Sequence, residues 1–222
     1  MPQTQYRSTH LLQHDAPNEV SFVKFAFKVM QYNVCTLLLN DKFAVLDTLQ
    51  LRLVKKQCRE KNIVIAGLQE TRLQECAIQQ DGFLFITSGA QEGNYGTAVL
   101  VDLQAVCTAG KLDPPSFFAK DFRVVINHPR LLAIDCYAKY LQFRMISGHA
   151  PSADAEQSDK DTWYRLYERA CNTSLHIVAL TDMNSKFELR HNPQLQVSTG
   201  AKNSFQRFND HMEQIHLAVP ND

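Results

Sequence analysis

The sequence predicts a layered α/β or α+β sandwich, on three observations. Apolar runs of strand length are mixed with runs of helical periodicity, several strands follow one another, and neither a repeat period nor a linker divides the chain. With 222 residues and 45% hydrophobic content the chain can bury one large core, and nothing demands a second domain. Polar residues stand directly behind apolar strands, at Asn33, Glu70, His149, Asp182 and Asn184. Strand ends of this kind converge on one rim of an open sheet, where such folds place their sites.

The elements follow from the pattern. Residues 1–20 are polar and are expected as a flexible N-terminal segment, with the domain spanning 21–222. In 21–31, Val23, Phe25, Phe27 and Val29 alternate with Lys24, Ala26 and Lys28, the period of a strand. Residues 41–60 read as a helix. Leu46, Leu49, Leu53, Val54 and Cys58 keep helical spacing, and Lys55, Lys56 and Arg59 suit the negative end of its dipole. The run 62–68 is continuously apolar, as in a strand covered on both faces. Further strands are expected at 84–88, 97–103, 123–127, 131–137, 143–147 and 175–180. Residues 159–171, around Trp163, Leu166 and Tyr167, read as a helix, as do 204–217, around Phe205, Phe208, Met212 and Ile215. The polar stretch 188–202 reads as a loop.

Composition excludes several classes. Lys plus Arg and Asp plus Glu are both 23, so the chain is not a strongly basic nucleic-acid binder, although acidic metal ligands can offset a local basic surface. Eight Gly and eight Pro argue against collagen-like and disordered chains. The six cysteines form no CxxC pair, so zinc-knuckle and thioredoxin-type sites lack support. Most lie in apolar runs and are expected as free thiols, although an even number leaves disulfides open. There is no secretory signal and no apolar run of membrane-spanning length, so an intracellular protein is expected.

Taken singly, each strand-end residue has a bland reading. Glu70 would more often be a cap or surface carboxylate, Asp182 and Asn184 could form a turn, Asn33 an Asx turn, and His149 a loop histidine. Their order and flanking residues say more. Gln31-Tyr32-Asn33-Val34, Leu68-Gln69-Glu70-Thr71-Arg72, the strand from Gly96 to Val101, the strand from Arg130 to Ile134, Gly148-His149-Ala150-Pro151 and Thr181-Asp182-Met183-Asn184 follow in one order. That series resembles the segments of the endonuclease/exonuclease/phosphatase, or DNase I-like, superfamily. Leu-Gln-Glu-Thr and Asp-x-Asn are its most specific members.

The resemblance implies a four-layer sandwich of two packed β-sheets flanked by helices. It implies Mg²⁺-dependent hydrolysis of DNA phosphodiesters, with Mn²⁺ as a substitute ion. Glu70, with Asn33, would hold the metal. Asp182 would orient and deprotonate the attacking water, Asn184 and Asn33 would position phosphate or metal-bound water, and His149 would contact the scissile phosphate. A hard cation needs only one or two protein carboxylates, so this sparse donor set suits the chemistry. A cationic His149 would make activity sensitive to pH near ~6.5.

Three departures stand out. Cys35 lies where some relatives carry a second acid, and Thr181 replaces the usual Gly before the Asp. The superfamily also closes with an Asp-bearing strand and a Ser-Asp-His or Asp-Asp-His segment, and no such segment is recognisable before Asp222. Asn209-Asp210-His211 comes too early, inside the expected helix, where Asp210 and His211 diverge. The expectation is therefore a domain missing its last strands, with activity in doubt. The overall pattern looks most like LINE-type retroelement endonuclease domains, which would act on DNA, in the nucleus if that DNA is chromosomal. Abasic-site repair endonucleases, inositol-polyphosphate phosphatases, sphingomyelinases and deadenylases share the core. A catalytically inert relic or binding module of the same fold is the alternative. Oligomeric state is not legible.

Overall fold

The run Ile-Val-Ile-Ala-Gly-Leu-Gln forms a strand buried at every position, because both of its faces are covered. The computed structural model describes residues 5–16, 19–37, 48–105, 107 and 116–184. In chain order it contains β1 (Gln5–Ala16), β2 (Glu19–Asn33), α1 (Leu49–Lys61), β3 (Ile63–Gln69), β4 (Cys76–Gln80), β5 (Phe83–Thr87) and β6 (Thr97–Asp102). A single 3-10 turn (Ala119–Asp121) then leads into β7 (Phe122–His128), β8 (Leu131–Ala138), β9 (Leu141–His149), α2 (Gln157–Cys171) and β10 (His176–Asp182). One sheet has the order β1-β2-β3-β6-β5-β4 and the other β10-β9-β8-β7.

Side-chain alternation assigns three apolar layers. Val29, Ile65, Leu84, Val99 and Val101 of the first sheet meet Leu132, Ile134, Phe143, Met145 and Leu180 of the second. On the outer face of the first sheet, Leu51, Val54 and Cys58 of α1 pack on Met30, Ala66, Leu68, Phe85 and Leu100. On the outer face of the second, Trp163, Tyr167 and Ala170 of α2 cover Leu131, Ala133 and Ile146. The result is the helix–sheet–sheet–helix sandwich expected from the sequence.

Several boundaries differ from the sequence reading. Residues 5–16, expected as part of a flexible segment, form β1 and pair antiparallel with β2. Helix α1 begins at Leu49, where the Thr48 hydroxyl accepts the Leu51 amide at 3.2 Å, and residues 41–47 of the expected helix lie outside the described residues. Its buried stripe is Leu51–Val54–Cys58, whereas Leu49 and Leu53 are 59% and 52% exposed. Strand β4 was not expected, because as an edge strand it buries little and carries only Ile78 as a strong β-former. The expected loop at 188–202 and helix at 204–217, including Asp210 and His211, lie outside the described residues. All six cysteines are free thiols, and burial pushes those of Cys58, Cys107, Cys136 and Cys171 up to about 12. Among the described residues no helix is long and apolar enough to cross a membrane.

Two parallel pairings position the site. β2 runs parallel to β3 with Asn33 opposite Gln69, and β10 runs parallel to β9 with Asp182 opposite His149. Parallel neighbours finish at the same edge. Both sheets therefore bring the carboxyl ends of two strands to one rim. There the sheets come very close: a Cβ on Gly67 would lie 2.5 Å from Leu180 Cβ. Thr181 is accommodated in the same way. It pairs with Gly148, where a Cβ would meet the Thr181 Cγ2 at 2.9 Å, so the larger residue before Asp182 is matched by a small one on the neighbouring strand.

Candidate active site at the strand-end rim

All five residues singled out in the sequence meet at this rim. Asn33 ends β2, and its Nδ2 donates to Glu70 Oε1 at 2.8 Å and to Asp182 Oδ2 at 3.3 Å. The two carboxylates therefore face each other across a single amide nitrogen, one from each sheet. Asn33 Oδ1 accepts the backbone N–H of Cys35 at 3.0 Å. That bond fixes the amide orientation, since a flip would point N–H at N–H. Asn33 thus presents a donor to the carboxylates, with its oxygen turned to the Cys35 amide.

Asp182 is held on both oxygens. Oδ2 receives Asn33, and Oδ1 accepts the backbone N–H of Asn184 at 3.0 Å, an Asx turn that explains the Asp-x-Asn spacing. The Asn184 side chain turns back across the rim. Its Nδ2 donates to the Ala150 carbonyl at 2.6 Å and lies 3.1 Å from His149 Nε2. An amide donor at that distance makes Nε2 an acceptor and places the imidazole proton on Nδ1. Nδ1 is buried without a partner among the described residues.

His149 is 7% exposed. Burial lowers its pKa below the ordinary value. Asp182 and Glu70 pull it up, Arg130 pushes it down further, and burial dominates. The imidazole is consequently neutral at pH 7. Its 3.6 Å approach to Glu70 Oε1 is then neither an ion pair nor a hydrogen bond, because both atoms are acceptors. A pH dependence follows. The unfolded chain carries a histidine with pKa near ~6.5 and the folded chain a lower one. Between those values the unfolded state binds more protons, so stability falls as pH drops from about 6.5 through the folded pKa. His149→Gln will lose less stability than wild type across that window, as read from urea midpoints at pH 7.5 and 5.5. Equal losses would refute this.

The sequence reading assigned no task to several neighbours. Arg72, half-exposed, reaches to 3.8 Å from Glu70 Oε2. The Arg130 guanidinium stacks 3.7 Å from the centre of the Tyr95 ring and donates to the carbonyls of His149 and Ala150 at 3.5 and 3.4 Å. Trp163 Nε1 of α2 donates to the Arg130 carbonyl at 3.4 Å, which ties the helix to the rim. Arg72 and Arg130 lie inside segments already recognised by resemblance, Tyr95 stands in the turn before Gly96 and Trp163 in the expected helix at 159–171. Much of the local backbone is left-handed, with φ of 56° at Glu70, 56° at Arg72, 63° at Tyr95, 58° at Cys35 and 47° at Asn184. It is held by Thr71 N–H to the Gly96 carbonyl at 3.0 Å, Arg72 N–H to the Tyr95 carbonyl at 2.9 Å and Leu37 N–H to the Thr71 carbonyl at 3.0 Å. Residues in such conformations persist where the surroundings enforce them, and they cluster at functional sites.

The donor set suits a hydrated hard cation. Glu70 and Asp182 supply hard oxygens within one short span, and among the described residues Glu70 Oε2 is held by the loose Arg72 contact alone. Among the described residues no three His, Cys, Asp or Glu side chains form a closed metal cage. Mg²⁺ needs none, because it keeps several waters and takes one or two protein carboxylates.

No protein-family model and no curated protein matches the sequence. Solved structures do. The endonuclease domain of TRAS1, a telomere-specific non-LTR retrotransposon, aligns with a TM-score of 0.54 at 14% identity, over 88% of this chain and 74% of that one. The AP endonuclease LMAP from Leishmania major aligns with a TM-score of 0.54 at 10% identity, over 85% of this chain and 66% of that one. Two mixed sheets between two helices, aligned with both of these structures, give the chain a DNase I-like α/β sandwich fold.

Proposed function

We propose that the chain hydrolyses DNA phosphodiester bonds with Mg²⁺ or Mn²⁺, as a retroelement-type endonuclease. One observation carries this reading: Asn33 Nδ2 joins Glu70 of one sheet to Asp182 of the other, beside His149 and Asn184. Glu70 would hold the ion, which supplies positive charge to the non-bridging phosphate oxygens when bound. Asp182, fixed at both oxygens by neutral donors, takes the proton from the attacking water as the new P–O bond forms; the P–O bond to the leaving oxygen breaks, and that oxygen takes its proton from solvent. Neutral His149 and Asn184 would hydrogen-bond the phosphate by giving up the bond between Asn184 Nδ2 and His149 Nε2, with the imidazole proton moved to Nε2 so that both groups donate. Asn33 braces the two carboxylates against their mutual repulsion. If the DNA is chromosomal, the site of action is the nucleus.

The test combines binding and turnover. Wild type will bind Mn²⁺ in calorimetry and nick supercoiled plasmid in a reaction stopped by EDTA. Glu70→Gln will weaken Mn²⁺ binding at least about ten-fold, the scale of losing a metal-site partner. Mn²⁺ binding unchanged in Glu70→Gln, or wild type that neither binds nor nicks, would overturn the proposal.

A further inference from the structure

The sheets are joined at the rim by a polar clasp that has no part in the proposed chemistry. Gln69 is wholly buried, although it is a polar residue at the end of a strand. It points inward between the sheets: its Nε2 donates to the Leu180 carbonyl of β10 at 2.9 Å and to Ser147 Oγ of β9 at 3.3 Å. Ser147 Oγ in turn donates to the Leu68 carbonyl of β3 at 3.2 Å, and Ser147 too is wholly buried. Three bonds thus cross from one sheet to the other, each between residues within two positions of Glu70, His149 or Asp182. The backbone gap they span is set by Gly67, which lies against Leu180.

An apolar residue would fill this volume with less desolvation, and Gln69 Oε1 gains no partner among the described residues. The amide is therefore a poor choice for stability alone. What it supplies is direction. Hydrophobic contact between sheets is nondirectional and tolerates sliding, whereas a donor aimed at one carbonyl fixes the distance and the register. Glu70 and Asp182 are carried on the two strands so fixed. We infer that Gln69, with Ser147, is a positioning residue that sets the separation of Glu70 and Asp182. This rests on the proposed nuclease reading, in which those carboxylates must share one cation and one phosphate.

The experiment compares wild type, Gln69→Leu, Ser147→Ala and Phe143→Leu. The last is a core truncation on β9 remote from the rim, and it controls for general destabilisation. Mn²⁺ affinity by calorimetry and nicking kinetics are read for each, normalised to the folded fraction. Gln69→Leu will lose roughly ten-fold in Mn²⁺ affinity, the scale for groups that orient metal ligands. Its kcat will fall with little change in KM for DNA, and Ser147→Ala will move both readouts the same way by less. Phe143→Leu will lose stability but keep affinity and kcat per folded molecule. Should Gln69→Leu not fold, Ser147→Ala decides alone. Wild-type affinity and kcat in both rim variants would overturn the positioning assignment and leave the nuclease reading standing. A wild-type chain that neither binds Mn²⁺ nor nicks would remove both.

Discussion

Asp182→Ala will lower the rate of Mg²⁺-dependent plasmid nicking by about 10²–10⁴-fold, the usual contribution of a positioned general base. The substitution removes the acceptor that Asn33 and the Asn184 backbone hold in place. KM for DNA should change little, because the lost group acts on the water and the phosphate still meets His149 and Asn184. Stability should be unchanged or slightly higher, since one of two facing carboxylates is gone and the residue is only partly buried at the end of β10. Conversion of supercoiled to open-circular plasmid measures the rate, and thermal unfolding measures the second effect. Nicking that persists at the wild-type rate in Asp182→Ala would assign it to another residue or to a contaminant.

Phe143→Ala will destabilise the chain by about 3–5 kcal/mol, the range for deleting a fully buried aromatic ring. Phe143 is wholly buried between the sheets. Its ring centre lies 5.6 Å from that of Phe27 and 6.2 Å from that of Phe117. It therefore joins β9 to β2 and to the segment before β7. Neighbours on two rigid sheets cannot collapse into the space, which favours the upper part of the range. Urea denaturation would show it as a lower midpoint with an unchanged slope. A loss below 1 kcal/mol would mean that the sheets close over the cavity.

How much of this was legible in the sequence depended on burial. β3 and β10 carry apolar runs bounded by turn residues, and the α2 stripe around Trp163 and Tyr167 repeats at helical spacing. In β3 and α2 tertiary packing and local pattern agree, whereas β10, read as a buried strand, lies at the end of its described sheet and buries only Val178 and Leu180. β4 could not be read, because an edge strand with mostly exposed residues has no face to advertise. The start of α1 was misplaced because a leucine series extends upstream of Thr48, and the cap rather than the periodicity marks where the helix begins. Asn33, Glu70, His149, Asp182 and Asn184 could be found because strand ends are visible in one dimension. The sidedness of the Asn33 amide, the neutrality of His149 and the inward aim of Gln69 could not. Each depends on a neighbour distant in the chain: Glu70 and Asp182 for the amide, burial between two strands for the imidazole, and Leu180 for the glutamine.

The left-handed backbone at Glu70 and Arg72 has a consequence for how this gene can drift. Glycine fits such dihedrals without the Cβ clash, and asparagine tolerates them better than most side chains. In a lineage released from selection for DNA cleavage, replacing either residue by glycine would relieve local strain, and such changes would be retained or even favoured. While cleavage is selected, the same changes are purged despite their benefit to folding. Glutamate and arginine at these two positions therefore stand where the backbone by itself would favour glycine.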